Sequence, residues 1–106
     1  MESQVLGGNI VLTGFSHREF TDMIVVKKIV GQYARKLTDT VPGFTRLTVT
    51  LKDIHQHEGH GKLEIHARAE VQSHELVGEA VDHNLYVALD TALKHALVQA
   101  EKLARH

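Results

Sequence analysis

The chain has 106 residues, 42% of them apolar, with one Pro and eight Gly, a composition that fits one compact domain and excludes disorder or a collagen-like repeat. Twelve Lys and Arg against thirteen Asp and Glu leave a net charge of −1, so charge alone announces no nucleic acid; adding nine positive charges by protonating every His gives +8, a change that falls between about pH 5 and 8. With no Cys there is no disulfide framework, thiolate zinc site or thiol nucleophile, and no stretch approaches the ~18 apolar residues of a membrane span.

Asn9 to Phe15 is a short β-rich run closed by Gly14 and reads as a first strand. Ser16-His17-Arg18-Glu19 has the form of a capping box, in which the Ser hydroxyl and the Glu carboxylate satisfy each other's backbone N–H groups. From there to about Leu37 the spacing of Phe20, Met23, Ile24, Val26, Val30, Tyr33, Ala34 and Leu37 predicts a helix, ended by the Pro and Gly of the segment 38–43. The period then changes to two. Leu47, Val49 and Leu51 face one way in a strand over 44–54, and Leu63, Ile65, Ala67, Ala69 and Val71 do so after a polar hairpin at 55–61. A turn at 72–75 leads to a weaker strand over Glu75–Val81, softened by Gly78. Asp82 or Asn84 then caps a final helix with the stripe Leu85, Leu89, Ala92, Leu93, Ala96, Ala100 and Leu103. The order β-α-β-β-β-α predicts an α+β two-layer sandwich over 1–106. Two helices pack on one face of a four-stranded, mostly antiparallel sheet whose other face is wet.

Three sets of residues carry candidate chemistry. On the first helix His17, Arg18, Lys28, Gln32, Arg35 and Lys36 fall within roughly 100° of arc, and on the last Lys94, His95, Lys102, Arg105 and His106 gather on one side. A solvated helix face explains either set alone. Two such faces side by side make a strip spaced to meet phosphates, while Glu58, Glu64, Glu70, Glu75 and Glu79 lie in the sheet region. His55, His57 and His60 have the donors for a metal, which makes a His-rich metal-binding domain the second reading, but no fourth ligand stands at a fixed offset and a plain hydrophilic turn is the better account, so no metal is assigned. No catalytic site emerges: Ser16 is better read as a cap, Asp90 and His95 are five apart and do not face each other, and Gly7-Gly8 lacks the spacing of a phosphate loop. A module that engages proteins through the wet face of the sheet is the third reading, with cross-strand salt pairs as its plain alternative.

Residues 82–102, DHNLYVALDTALKHALVQAEK, resemble the closing helix of the ribosome hibernation-promoting factor and ribosome-associated inhibitor family. The matching positions are Leu85-Tyr86, Ala88-Leu89-Asp90, Ala92-Leu93, Gln99 and Lys102. His66-Ala67-Arg68-Ala69-Glu70 is similar to the strand before that helix, and Arg18-Glu19-Phe20 to the start of the family's first helix. The resemblance implies the short form of the family, with a fold like that of a double-stranded-RNA-binding domain. It further implies a cytoplasmic, non-catalytic protein without a cofactor, which occupies the mRNA and tRNA channel of the small ribosomal subunit and keeps idle ribosomes from translating. By position, contact with ribosomal RNA would pass to Arg18, Lys28, Arg35 and Lys36, and to Lys94, Lys102 and Arg105. Tyr86 is expected to pack or cap rather than to stack on bases, and His17, His95 and His106 to tighten binding at pH 6 relative to pH 8.

Overall fold

A computed structural model describes residues 2–57 and 60–105, the side chains of 54–57 and 60 excepted. Seven elements follow in chain order: β1 (Ser3–Leu6), β2 (Ile10–Thr13), α1 (Phe20–Thr40), β3 (Phe44–His57), β4 (His60–Val71), β5 (His74–Asp82) and α2 (Leu85–Ala104). The strands form one mixed sheet in sequential order, β1-β2-β3-β4-β5. Every neighbouring pair is antiparallel except β2 and β3, which α1 joins as a crossover and which therefore run parallel.

The register places Leu12, Val49, Ala67 and Gly78 in one row across β2, β3, β4 and β5, on the face that carries the helices. Side-chain size falls along that row to nothing. α1 packs over β2 and β3, where the row is bulky, and α2 over β4 and β5, where it is small. The sheet-facing side of α2 is correspondingly alanine-rich, with Ala88, Ala92, Ala96 and Ala100 all buried. At Gly78 the approach is limiting: a Cβ there would collide with the Ala92 carbonyl oxygen and come 2.7 Å from the Ala96 amide nitrogen. Gln99 fixes the same contact by donating from Nε2 to the Val77 carbonyl at 2.7 Å.

The alternation in β3 and β4 holds as the sequence predicts: Leu47, Val49, Leu51, Leu63, Ile65, Ala67, Ala69 and Val71 are buried. So does the Asn84 cap, whose carboxamide oxygen accepts from the Tyr86 and Val87 amides. Several expectations change. The sheet has five strands rather than four, because Ser3–Leu6 pairs with β2 in a hairpin turned by Gly7 and Gly8, both at positive φ. Ser16 does not cap α1. Phe15 is buried, the chain turns with the Arg18 amide bonded to the Phe15 carbonyl, and the helix starts at Phe20 from Glu19 without a side-chain cap. The helix also runs to Thr40, one turn beyond Leu37, with the Thr38 and Thr40 hydroxyls donating back to the Ala34 and Lys36 carbonyls. Phe20 and Ile24, which belong to the apolar spacing that predicts the helix, are 79% and 54% exposed. The strands extend into the expected hairpin, to His57 and from His60. Gly78 does more than soften its strand, since it admits α2.

Two glycines therefore respond in opposite directions. Gly78→Ala is expected to destabilise the protein by about 2 kcal/mol or more through overpacking against helix backbone. Gly31→Ala, at a helical position with open space around it, is expected to stabilise it by about 0.5–1 kcal/mol. Denaturant midpoints of the two variants against the parent check both signs.

Candidate nucleic-acid interface

Because both helices lie on one face of the sheet, they run side by side in the same direction and are tied by two reciprocal pairs. The Tyr86 hydroxyl of α2 donates to Asp22 Oδ1 of α1 at 2.9 Å, and the Tyr33 hydroxyl of α1 donates to Asp90 Oδ1 of α2 at 2.7 Å. Burial pushes the Tyr33 phenol up to about 12, and its hydrogen bond to the Asp90 carboxylate and that group's charge add to the effect. For Tyr86 the hydrogen bond to Asp22 is the main upward influence, with the nearby Arg18 charge opposing it. Tyr86 is thus a packing residue with a spoken-for hydroxyl. Asp90 is engaged by Tyr33, five positions from the His95 with which it was set aside as a catalytic pair.

The two helices border a groove of about 430 Å³. Lys36 and Lys94 stand on its opposite walls, with Tyr33, Asp90 and Glu101 between them. The expected cationic residues divide into four places. Lys36 and Lys94 meet across the groove. Lys28 and Arg35, seven residues and about 20° apart, line the outward side of α1. Arg35 Nε also lies 3.9 Å from Asp39 Oδ2 in an exposed pair of little energetic weight. Lys102 and Arg105 lie exposed at the end of α2. Arg18 is not on α1 at all: it precedes the helix and is half-buried at the end of the molecule where both helices begin.

The acidic residues do not all sit elsewhere, as the sequence suggests, since Asp22, Asp90 and Glu101 line the interhelical side. The imbalance survives nonetheless. Residues 16–43 and 84–106 hold eight Lys and Arg against five Asp and Glu, and the rest of the chain holds four against eight. On the outer face of the sheet opposite charges pair across the strands. Arg68 Nε lies 2.8 Å from Glu75 Oε1, Arg46 Nε 3.9 Å from Glu70 Oε2, and the His66 ring stands between Glu64 and Glu79 at 3.4 and 3.5 Å. That network is the plain cross-strand pairing expected of a wet sheet face. Among the described residues no three His, Asp or Glu side chains are grouped to hold a metal ion. The side chains of His55, His57 and His60, and His106 as a whole, lie outside the described residues. Among the described residues no helix is long and apolar enough to cross a membrane.

No protein-family model matches the chain, and no curated protein matches it in sequence. Solved structures do match. A ribosomal subunit interface protein from Coxiella burnetii superposes with a TM-score of 0.63 at 11% identity, over 92% of this chain and 97% of the other. The N-terminal domain of Thermus thermophilus Protein Y superposes with a TM-score of 0.57 at 14% identity, over 90% and 94%. This chain has their fold. Both belong to the hibernation-promoting factor family that the closing helix resembles.

The Tyr33–Asp90 pair has a signature in alkali. A phenol held near 12 in the folded protein ionises earlier once unfolded, so its contribution is complete below about pH 10 and is lost as pH rises toward 12. Tyr33→Phe is expected to flatten the loss of stability between pH 10 and 12, measured as denaturant midpoints at pH 9, 10 and 11. An unchanged slope contradicts the assignment.

Proposed function

We propose that this protein binds ribosomal RNA of the small ribosomal subunit through its helical layer and holds idle ribosomes out of translation, without catalysing a reaction. The observation that carries the reading is an excess of cations over residues 16–43 and 84–106, the helices with their flanking turns, on a fold shared with a ribosomal subunit interface protein. Lys28, Arg35, Lys36, Lys94, Lys102 and Arg105 are all exposed, as phosphate contacts require, and Arg18 adds a seventh charge at the end of the layer. Each would form a charge-assisted hydrogen bond to a backbone phosphate and displace a condensed counterion, so affinity falls steeply with salt. The groove brings Lys36 and Lys94 to one site, with the Tyr33–Asp90 pair in its lining. Occupancy of the mRNA and tRNA channel is what the family resemblance adds to this physical account.

The test is co-sedimentation with purified small subunits through a sucrose cushion over a range of salt. The parent is expected to pellet with subunits at low salt. Lys36→Gln with Lys94→Gln is expected to weaken binding about tenfold and to lower the slope of log affinity against log salt by about 1.5. Lys52→Gln with Lys62→Gln, on the strand side, is expected to change neither. Absence of co-sedimentation at low salt sinks the proposal.

A further inference from the structure

At the end of the sheet where both helices begin, the chain forms a second pocket, of about 320 Å³, that the helical faces do not include. His17 and Arg18 reach it from the turn before α1, Asp53 from β3, and His83 from the junction of β5 with α2. Arg18 is half-buried and, among the described residues, forms no ion pair. A half-buried guanidinium without a salt-bridge partner has donors free for an anion. His17, Asp53 and His83 are also metal-ligand types, but no three such side chains among the described residues are grouped to hold one ion.

The geometry of His83 adds a condition. Its Nδ1 lies 2.8 Å from the Gly61 carbonyl oxygen, which can only accept, so Nδ1 carries a proton and Nε2 is the free ring nitrogen. In the neutral ring Nε2 is an acceptor and repels an anion. It becomes a donor only when the ring is protonated. The charge balance follows the same rule. With both imidazoles neutral, Arg18 and Asp53 cancel; with both protonated, the pocket gains two positive charges. Other charged groups stand around the pocket, and the carboxylates among them keep their charge while hydrogen-bonded. Asp22 accepts from Tyr86, Asp82 accepts from the Asn84 amide at 2.8 Å, and Glu2 and Lys52 lie together in the adjoining hollow that His17 also borders.

We propose that this pocket is a phosphodiester site, closed to anions when His17 and His83 are neutral and opened by their protonation. Its occupant, a backbone phosphate of RNA, rests on the functional reading above, while the capacity to bind the group does not. The site would add one acid-dependent contact at the edge of the helical layer.

Dimethyl phosphate tests it directly, because this diester carries one negative charge at both pH 6 and pH 8. The full chain is titrated at constant ionic strength while the ring Cε1–H resonances of His17 and His83 are followed by NMR. Saturable shifts are expected at pH 6, with affinity at least fivefold weaker at pH 8. Arg18→Gln is expected to abolish them, and His83→Gln, whose amide can still donate to Gly61, to leave weaker binding with only the smaller pH dependence that His17 supplies. Equal affinity at the two pH values, shifts that never saturate, or binding indifferent to both substitutions overturns the proposal. No ribosome is present in this experiment, so a negative result leaves the helical-face reading standing, and a positive one does not rescue it.

Discussion

The sheet offers one apolar face, and both helices have to share it. Alternation in β3 and β4 sends every second side chain to the core and charges the opposite face with Arg46, Arg68, Glu64, Glu70 and the ladder around His66. Two helices on a single face must lie side by side. The row from Leu12 through Val49 and Ala67 to Gly78 then decides how: α1 rides on larger residues and α2 sinks toward β5 on a surface of Ala and Gly. The groove between Lys36 and Lys94, the Tyr–Asp pairs and the shared end where both helices begin all follow from that arrangement.

Both helices carry lysines, and carboxylates stand between them. Asp22 and Asp90 sit on the facing sides of α1 and α2, and each takes its hydrogen bond from a phenol of the other helix. The hydroxyls are thereby committed to structure, which leaves Lys and Arg to meet a partner. The net charge of −1 is a sum over two unlike layers. It describes neither the helical side, where cations exceed acids, nor the strand side, where the reverse holds.

Much of this was legible in the sequence, where one physical rule acted alone. Period-two alternation gave β3, β4 and their buried faces, and the Asn84 cap with its alanine and leucine stripe gave α2. Errors arose where rules competed. SQVL is too short to read as a strand by pattern, and its clue was the Gly7-Gly8 pair, which serves a hairpin turn rather than a phosphate loop. The Ser16–Glu19 pattern satisfies the capping box locally, but burial of Phe15 turns the chain first and moves the helix start to Phe20. That shift also takes Arg18 off the helix and into a pocket with His83, a residue 65 positions away in sequence that no periodicity connects to it. The Tyr–Asp pairs were hidden for the same reason. Each is a long-range contact between residues whose local spacing says only that they border an apolar stripe.

The central claim is that the helical layer, and not the sheet, faces ribosomal RNA. Lysine footprinting tests it most directly: brief acetylation of the protein alone and in complex with small subunits, read by mass spectrometry at each Lys. Protection of Lys28, Lys36, Lys94 and Lys102, with Lys52 and Lys62 modified as in the free protein, is the predicted result. Protection of Lys52 and Lys62 with the helical lysines still reactive would contradict the account.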